Sequence, residues 1–228
     1  MHSDFNANPQ NDIKLQRIGA AALLMMPLCY ICMFVIFGVI LSFPQAAILS
    51  EKMSYIAANK GLISIAYMVG YLVFGCLLLI AVQAIHSTLS SRRSHLVNSA
   101  SIFGLIWVVL MMCSGMTSLV GMQTMIHQVA EGKDSAEIVF VTYTTIANAL
   151  GGGIEFVGGV WVLLVSICAF RQQRFTKPLC FLGIFVGLIG IITTYQDIPA
   201  TKEAFGLSQI IWFIWFGLAM IPKAFNTR

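Results

Sequence analysis

The sequence has few charged residues: only 10% of its 228 residues are Asp, Glu, Lys or Arg, against about a quarter in soluble domains. Hydrophobic residues make up 58% of the chain and the mean hydropathy is +0.87, a composition that excludes a soluble globular domain and predicts an integral membrane protein. The long apolar runs also lack the alternating pattern of β-barrel strands, so helices are the spanning structure that satisfies the backbone. The predicted fold class is therefore an all-α integral membrane protein.

Motifs of known catalytic chemistry are missing as well. The chain contains no His-Glu-x-x-His zinc motif, no phosphate-binding loop and no serine in a nucleophile elbow. No second carboxylate accompanies Glu155 within an apolar run, and the histidines are not placed to bracket a haem inside a membrane. We therefore expect no catalytic residue, no metal and no cofactor, and enzyme activity is the less favoured interpretation.

Six apolar runs approach or exceed the roughly 20 residues that a membrane-crossing helix needs. The first is longer than a signal-peptide core, so we expect it to be retained. The third and fourth exceed a bilayer core, so we expect them to extend beyond the outer surface as a short hairpin around 131–134. The prediction is one six-helix transmembrane domain, 18–222, with spans at about 18–42, 61–85, 97–125, 138–170, 178–195 and 205–222, between a polar segment 1–17 and a tail 223–228.

Basic residues are distributed unevenly between the predicted loops. Nine of the 13 Lys and Arg residues lie on one side, and six of the nine acidic residues lie on the other. The positive-inside rule then places both termini in the cytoplasm. The net charge of +4 follows from this asymmetry, so we expect contacts with membrane lipid and no nucleic-acid partner. The larger basic group is Lys14, Arg17, Arg92, Arg93, Arg171, Arg174, Lys177, Lys223 and Arg228.

The stretch 147–161 combines five glycines and one carboxylate, Glu155, within an apolar run. A charge in hydrocarbon costs about 2.5–3.5 kcal/mol on insertion scales, so an intramembrane carboxylate predicts a functional site. Glycines can bend a helix or let a second helix approach closely. We expect a bend at Gly151, Gly152 and Gly153, and close packing at Gly158 and Gly159.

Polar residues of other spans fall at a similar depth in the outer half of the predicted bundle. At about 1.5 Å per residue, Tyr71 lies roughly 22 Å from the inner boundary and Glu155 roughly 24 Å. This arrangement predicts an outward-facing polar pocket that binds or transports a small molecule or a proton. The predicted pocket residues are Glu155, Asn148, Tyr67, Tyr71, Gln209 and Thr194.

A structural interpretation stays open beside this one. A neutral Glu155 could bond a neighbouring helix, and the glycines could serve only helix packing, within the chain or against a partner subunit. The tyrosines at this depth are equally compatible with an outer aromatic belt. In that case the chain would be a structural or accessory membrane subunit.

A motif in the fourth span is followed by two more in the last two spans. The first is Gly-Gly-Gly-x-Glu-x-x-Gly-Gly-x-Trp from Gly151 to Trp161. The later ones are Leu182-Gly183-x-x-x-Gly187-Leu188-x-Gly190 and Phe205-Gly206-Leu207-x-Gln209-x-x-Trp212. In these features the segment 148–221 resembles a family of small bacterial multi-span membrane proteins, defined as a domain of unknown function. The resemblance implies a bacterial inner-membrane protein of about six spans and supplies no activity or ligand.

Overall fold

The computed structural model describes residues 9–41, 48–90, 95–152, 155–198 and 200–222. Helices account for 89% of these residues, and no strand occurs among them, which confirms the predicted all-α class. The α-helices are α1 (Pro9–Val35), α2 (Leu49–Ala58), α3 (Lys60–Tyr67), α4 (Phe74–Leu89), α5 (His95–Ala130), α6 (Ser135–Ala147), α7 (Phe156–Arg171), α8 (Lys177–Ile192) and α9 (Ala200–Met220).

Five helical stretches in the described part of the chain are long and apolar enough to cross a membrane. The sixth predicted span corresponds to α8, which is apolar but has only 16 residues, a length of about 24 Å. The predicted bend residue Gly153 and the basic residues Arg92, Arg93, Lys223 and Arg228 lie outside the described residues. The five stretches are Gln10–Ile40, Lys60–Leu89, His95–Ala130, Ser135–Arg171 and Ala200–Met220.

The outer surface of the helices is strongly apolar. The side chains of Val39, Ile138 and Val120 are 74%, 69% and 68% exposed. A surface of this kind is unfavourable in water, whereas lipid tails are as apolar as the side chains themselves. The surface is therefore compatible with a multi-pass membrane protein.

The helices pack around a row of tryptophans. Helix α1 packs against α4 and α9, and α7 packs against α5 and α8. Between them, the ring of Trp161 in α7 lies 5.6 Å from that of Trp107 in α5 and 5.7 Å from that of Trp212 in α9, measured between centroids. Each of these side chains is at most 1% exposed. Tilted and edge-on aromatic pairs are favourable arrangements, so this row links three helices.

Glycines bring α7 and α8 into backbone contact. A Cβ atom added to Gly159 would lie 2.8 Å from the carbonyl oxygen of Gly187 and 2.8 Å from backbone atoms of Gly190. On the other side of α7, a Cβ atom at Gly158 would lie 2.7 Å from the indole ring of Trp107. Because lipid supplies no hydrophobic drive between helices, association depends on such close van der Waals packing.

A short helix, α2, occupies part of the stretch that sequence analysis treated as a loop. Its Met53 and Ile56, three positions apart and therefore on one face, join an apolar cluster with Met122 and Met125 of α5 and with Tyr143 of α6. At 36 residues, α5 is about 54 Å long, well beyond a core of about 30 Å. Part of α5 is therefore covered by α2.

Candidate functional site

Among the described residues, three π-helical segments interrupt the regular α-helices. They are Ile36–Ile40, Met68–Val73 and Asn148–Gly152, and such segments are rare and frequently mark functional sites. Within the third, Gly151 has φ 144° and ψ 4°, a conformation that only glycine adopts readily. Regular helix resumes at Phe156, and Glu155 just before it has the non-helical angles φ −97° and ψ 22°, so Glu155 lies at a break in the helix.

The backbone of Glu155 anchors this break. Glu155 is the N-cap residue of α7, and its carbonyl oxygen accepts a hydrogen bond of 2.8 Å from the N–H of Gly159. Its own N–H donates to Oγ1 of Thr193 at 2.8 Å, and the Thr193 hydroxyl donates to the carbonyl of Gly190 at 2.6 Å. The start of α7 is thus tied to the end of α8 through main-chain groups and one hydroxyl.

The carboxylate of Glu155, in contrast, has no internal partner among the described residues. It does not cap α7, and its Oε2 atom is buried without a hydrogen-bond partner. The ion pairs found in the described part of the chain, His127–Glu131 and Lys133–Glu131, lie at the turn between α5 and α6. The positive end of the α7 dipole stabilises a nearby anion by about 0.3–1 kcal/mol. The carboxyl group of Glu155 therefore lies at the positive end of α7 with no ion-pair partner among the described residues.

This carboxylate lines a cavity of about 430 Å³, within the range of about 300–1,000 Å³ typical of small-molecule sites. The wall is mainly apolar and aromatic, which is also typical of ligand pockets. A second carboxylate, Glu203, lies in the first turn of α9 and reaches the same cavity. Sequence analysis had placed Glu203 in an outer loop. The larger lining side chains are Tyr30, Met33, Phe34, Phe37, Tyr71, Met111, Glu155 and Glu203.

All three π-helical segments contribute to this one cavity. The first supplies Phe37 and Gly38, the second Gly70 and Tyr71, and the third Gly151. Sequence analysis identified none of the three segments, because five or six residues of π-helix leave no distinct hydrophobic period. The feature of the sequence that could have indicated these segments is a glycine in each of them, Gly38, Gly70 and Gly151, which lies in the cavity wall.

Tyr30 is a site residue that sequence analysis missed. Its hydroxyl donates to Oε1 of Gln209 at 3.0 Å, and its ring meets Phe74 edge-on at 5.3 Å between centroids. Gln209 is fully buried, and its Nε2 atom has no partner among the described residues. In the sequence, Tyr30 is a single tyrosine in the middle of the first apolar run. No polar residue beside it in that run indicates that it belongs to a site.

The six predicted pocket residues occupy different places. Glu155 and Tyr71 line the cavity, and Gln209 lies behind its wall through the bond to Tyr30 described above. The ring of Tyr67 lies 6.0 Å from that of Tyr71, between centroids, but Tyr67 does not line the cavity. Asn148 and Thr194 are exposed, and the Thr194 hydroxyl donates to the carbonyl of Ile191.

Comparison with known proteins finds no match to this chain. The chain matches no protein-family model, no curated protein and no solved structure. The family resemblance of the second half therefore stays a prediction. In the described part of the chain, no group of three or more His, Cys, Asp or Glu side chains is placed to hold a metal ion. The function has to be argued from the chemistry of the cavity.

Proposed function

We propose that this chain is a multi-pass membrane protein whose cavity at Glu155 binds a small molecule within the bilayer. The observation that carries the proposal is the unpartnered Oε2 atom of Glu155 in a cavity of ligand size. A buried polar atom without a partner costs about 1–3 kcal/mol, and more when it is charged. A bound ligand that donates a hydrogen bond or carries positive charge would recover this cost.

Two features of the packing support binding over a purely structural role. The glycines of α7 are already used inside the chain, Gly158 against Trp107 and Gly159 against α8, so they offer no free face to a partner subunit. The helix break is held by the backbone N–H of Glu155 and the hydroxyl of Thr193. In this proposal the carboxylate takes no part in holding the helix break.

Native mass spectrometry of the protein, extracted in mild detergent, tests this proposal with Glu155→Gln. The amide preserves the size of the side chain and removes its charge, so we expect a discrete ligand mass on the wild type that is lost from a mutant with an unchanged unfolding midpoint. Glu51→Gln, an exposed carboxylate on α2, is the matched control and is expected to retain the ligand. A Glu155→Gln protein that unfolds, with no adduct beyond ordinary lipid on the wild type, would favour the structural role instead.

We also propose that the chain crosses a bacterial inner membrane six times with both termini in the cytoplasm. Support for the sixth crossing comes from α8, whose glycines contact α7 at the backbone and which also packs against α9. In this proposal the break before Phe156 is a bend inside the fourth span, and α5 and α6 extend beyond the outer surface. The bacterial source rests on the family resemblance alone.

Reporter fusions test this topology. Fusions after Thr88, Gln173 and Arg228 are expected to report the cytoplasm, and fusions after Lys133 and Lys202 the outer side. The expectation follows from the excess of basic residues in the loops of the first group. An odd number of crossings, such as Gln173 and Lys202 on the same side, would rule out α8 as a span.

A further inference from the structure

We propose that the cavity at Glu155 selects a lipophilic tertiary or quaternary ammonium ion, an inference that rests on the proposed binding function. Its lining combines two carboxylates, Glu155 and Glu203, with aromatic side chains from three different segments. Among the described residues, no Lys, Arg or His contributes to this lining. The cavity therefore presents carboxyl groups and aromatic surface to its occupant, with no Lys, Arg or His among the described residues of its wall.

Glu155 has no ion-pair partner among the described residues. Lys202, in the first turn of α9, forms no ion pair with its carboxylate within 4.0 Å. The Oε2 atom of Glu155 is buried without a hydrogen-bond partner. Burial of a carboxylate disfavours its charged form unless it is paired, and a cation inside the cavity would supply the pair.

The aromatic wall defines the kind of cation. Tyr30, Phe34, Phe37 and Tyr71 line the cavity, and the faces of such rings attract ammonium groups within about 6 Å of the ring centroid. Apart from the two carboxylates and the two tyrosine hydroxyls, the large lining side chains are aromatic rings and the apolar Met33 and Met111. An alkylated ammonium presents methyl or methylene groups to such a wall, whereas a primary ammonium presents three N–H donors to it. The wall therefore favours an alkylated ammonium with an apolar body.

A matched pair of probes distinguishes the contribution of ligand charge to binding affinity from the contribution of ligand shape. Benzyltrimethylammonium carries a permanent positive charge, and neopentylbenzene is its neutral carbon isostere. Isothermal titration calorimetry of the full-length protein in detergent is expected to show saturable binding of the cation and at least about tenfold weaker binding of the isostere. In Glu155→Gln, the cation is expected to lose at least about tenfold in affinity while the affinity for the isostere is unchanged.

Two further variants keep the test decisive if Glu155→Gln does not fold. Glu203→Gln removes the second carboxylate, and Tyr71→Leu removes one aromatic wall residue while keeping an apolar side chain. Each is expected to weaken binding of the cation about threefold or more and to leave the isostere unaffected, because only the cation uses charge and ring quadrupole.

The outcomes distinguish this inference from the binding function on which it rests. Equal affinities for the two probes, insensitive to the carboxylate variants, would overturn the selection of cations while leaving a binding cavity in place. Absence of binding by the cation would also overturn it, and a retained native ligand would then show that the cavity takes another chemical class. Absence of binding by either probe, with no native adduct on the wild type, would overturn both.

Discussion

Gly159→Leu is expected to disrupt the packing of α7 against α8. Any Cβ atom at this position would lie 2.8 Å from backbone atoms of Gly187 and Gly190, and backbone atoms cannot rotate away as a flexible side chain can. The two helices would have to separate, which also loosens the bond from Thr193 to the backbone of Glu155. Overpacking of this kind costs about 1–3 kcal/mol, occasionally more. Thermal unfolding in detergent should show a lower midpoint or no folded protein.

Gly61→Leu is the matched control for this prediction. Gly61 is an exposed glycine in α3, and a Cβ atom there would meet nothing within 4 Å. Leucine is a better helix former than glycine, so the midpoint should stay the same or rise slightly. Equal midpoints for Gly159→Leu and Gly61→Leu would contradict backbone contact between α7 and α8.

Trp161→Ala is expected to cause the second large loss of stability. The indole is 1% exposed and lies between Trp107 and Trp212, so its removal leaves a large void where three helices meet. Substitutions of this kind cost about 3–5 kcal/mol in soluble proteins, and in lipid or detergent the lost van der Waals contacts and the cavity supply the main part of the cost. The measurement is again the unfolding midpoint of the purified protein in detergent, with helix content followed by circular dichroism.

Trp215→Ala is the control that distinguishes the effect of losing a buried side chain from the effect of losing a tryptophan. Trp215 lies on α9 with 40% of its side chain exposed, so its loss leaves no enclosed void. The expected change in stability is within about 0.5 kcal/mol. A loss as large as that of Trp161→Ala would indicate that the row of tryptophans does not join the helices as described.

The all-α fold class could be predicted because it follows from the solvent, and the same reasoning selects Glu155 as a candidate site residue. Hydrocarbon thickness sets the length of each apolar run, and a carboxylate in such a run is costly enough to stand out. The glycines around Glu155 stood out for a related reason, since they weaken a helix unless something requires them. Each of these features can be recognised within a single segment of the sequence.

The remaining parts of the site depend on which helices are neighbours. Counting residues along a helix gives the depth of a side chain but not the direction in which it points. Sequence analysis therefore selected Thr194, whereas the adjacent Thr193 bonds the backbone of Glu155. It also had no means of placing Tyr30 and Glu203 beside Glu155, because α1, α7 and α9 meet only in the folded chain.

In the proposed function the carboxylate of Glu155 is free to bind a ligand. Electron density from crystals grown in a lipidic mesophase, with gently extracted protein, would show whether a ligand is bound there. We expect non-protein density beside Oε2 of Glu155, bounded by the rings of Tyr30 and Tyr71. A cavity closed by its own side chains, or an ammonium group of Lys202 bonded to the Glu155 carboxylate, would contradict it.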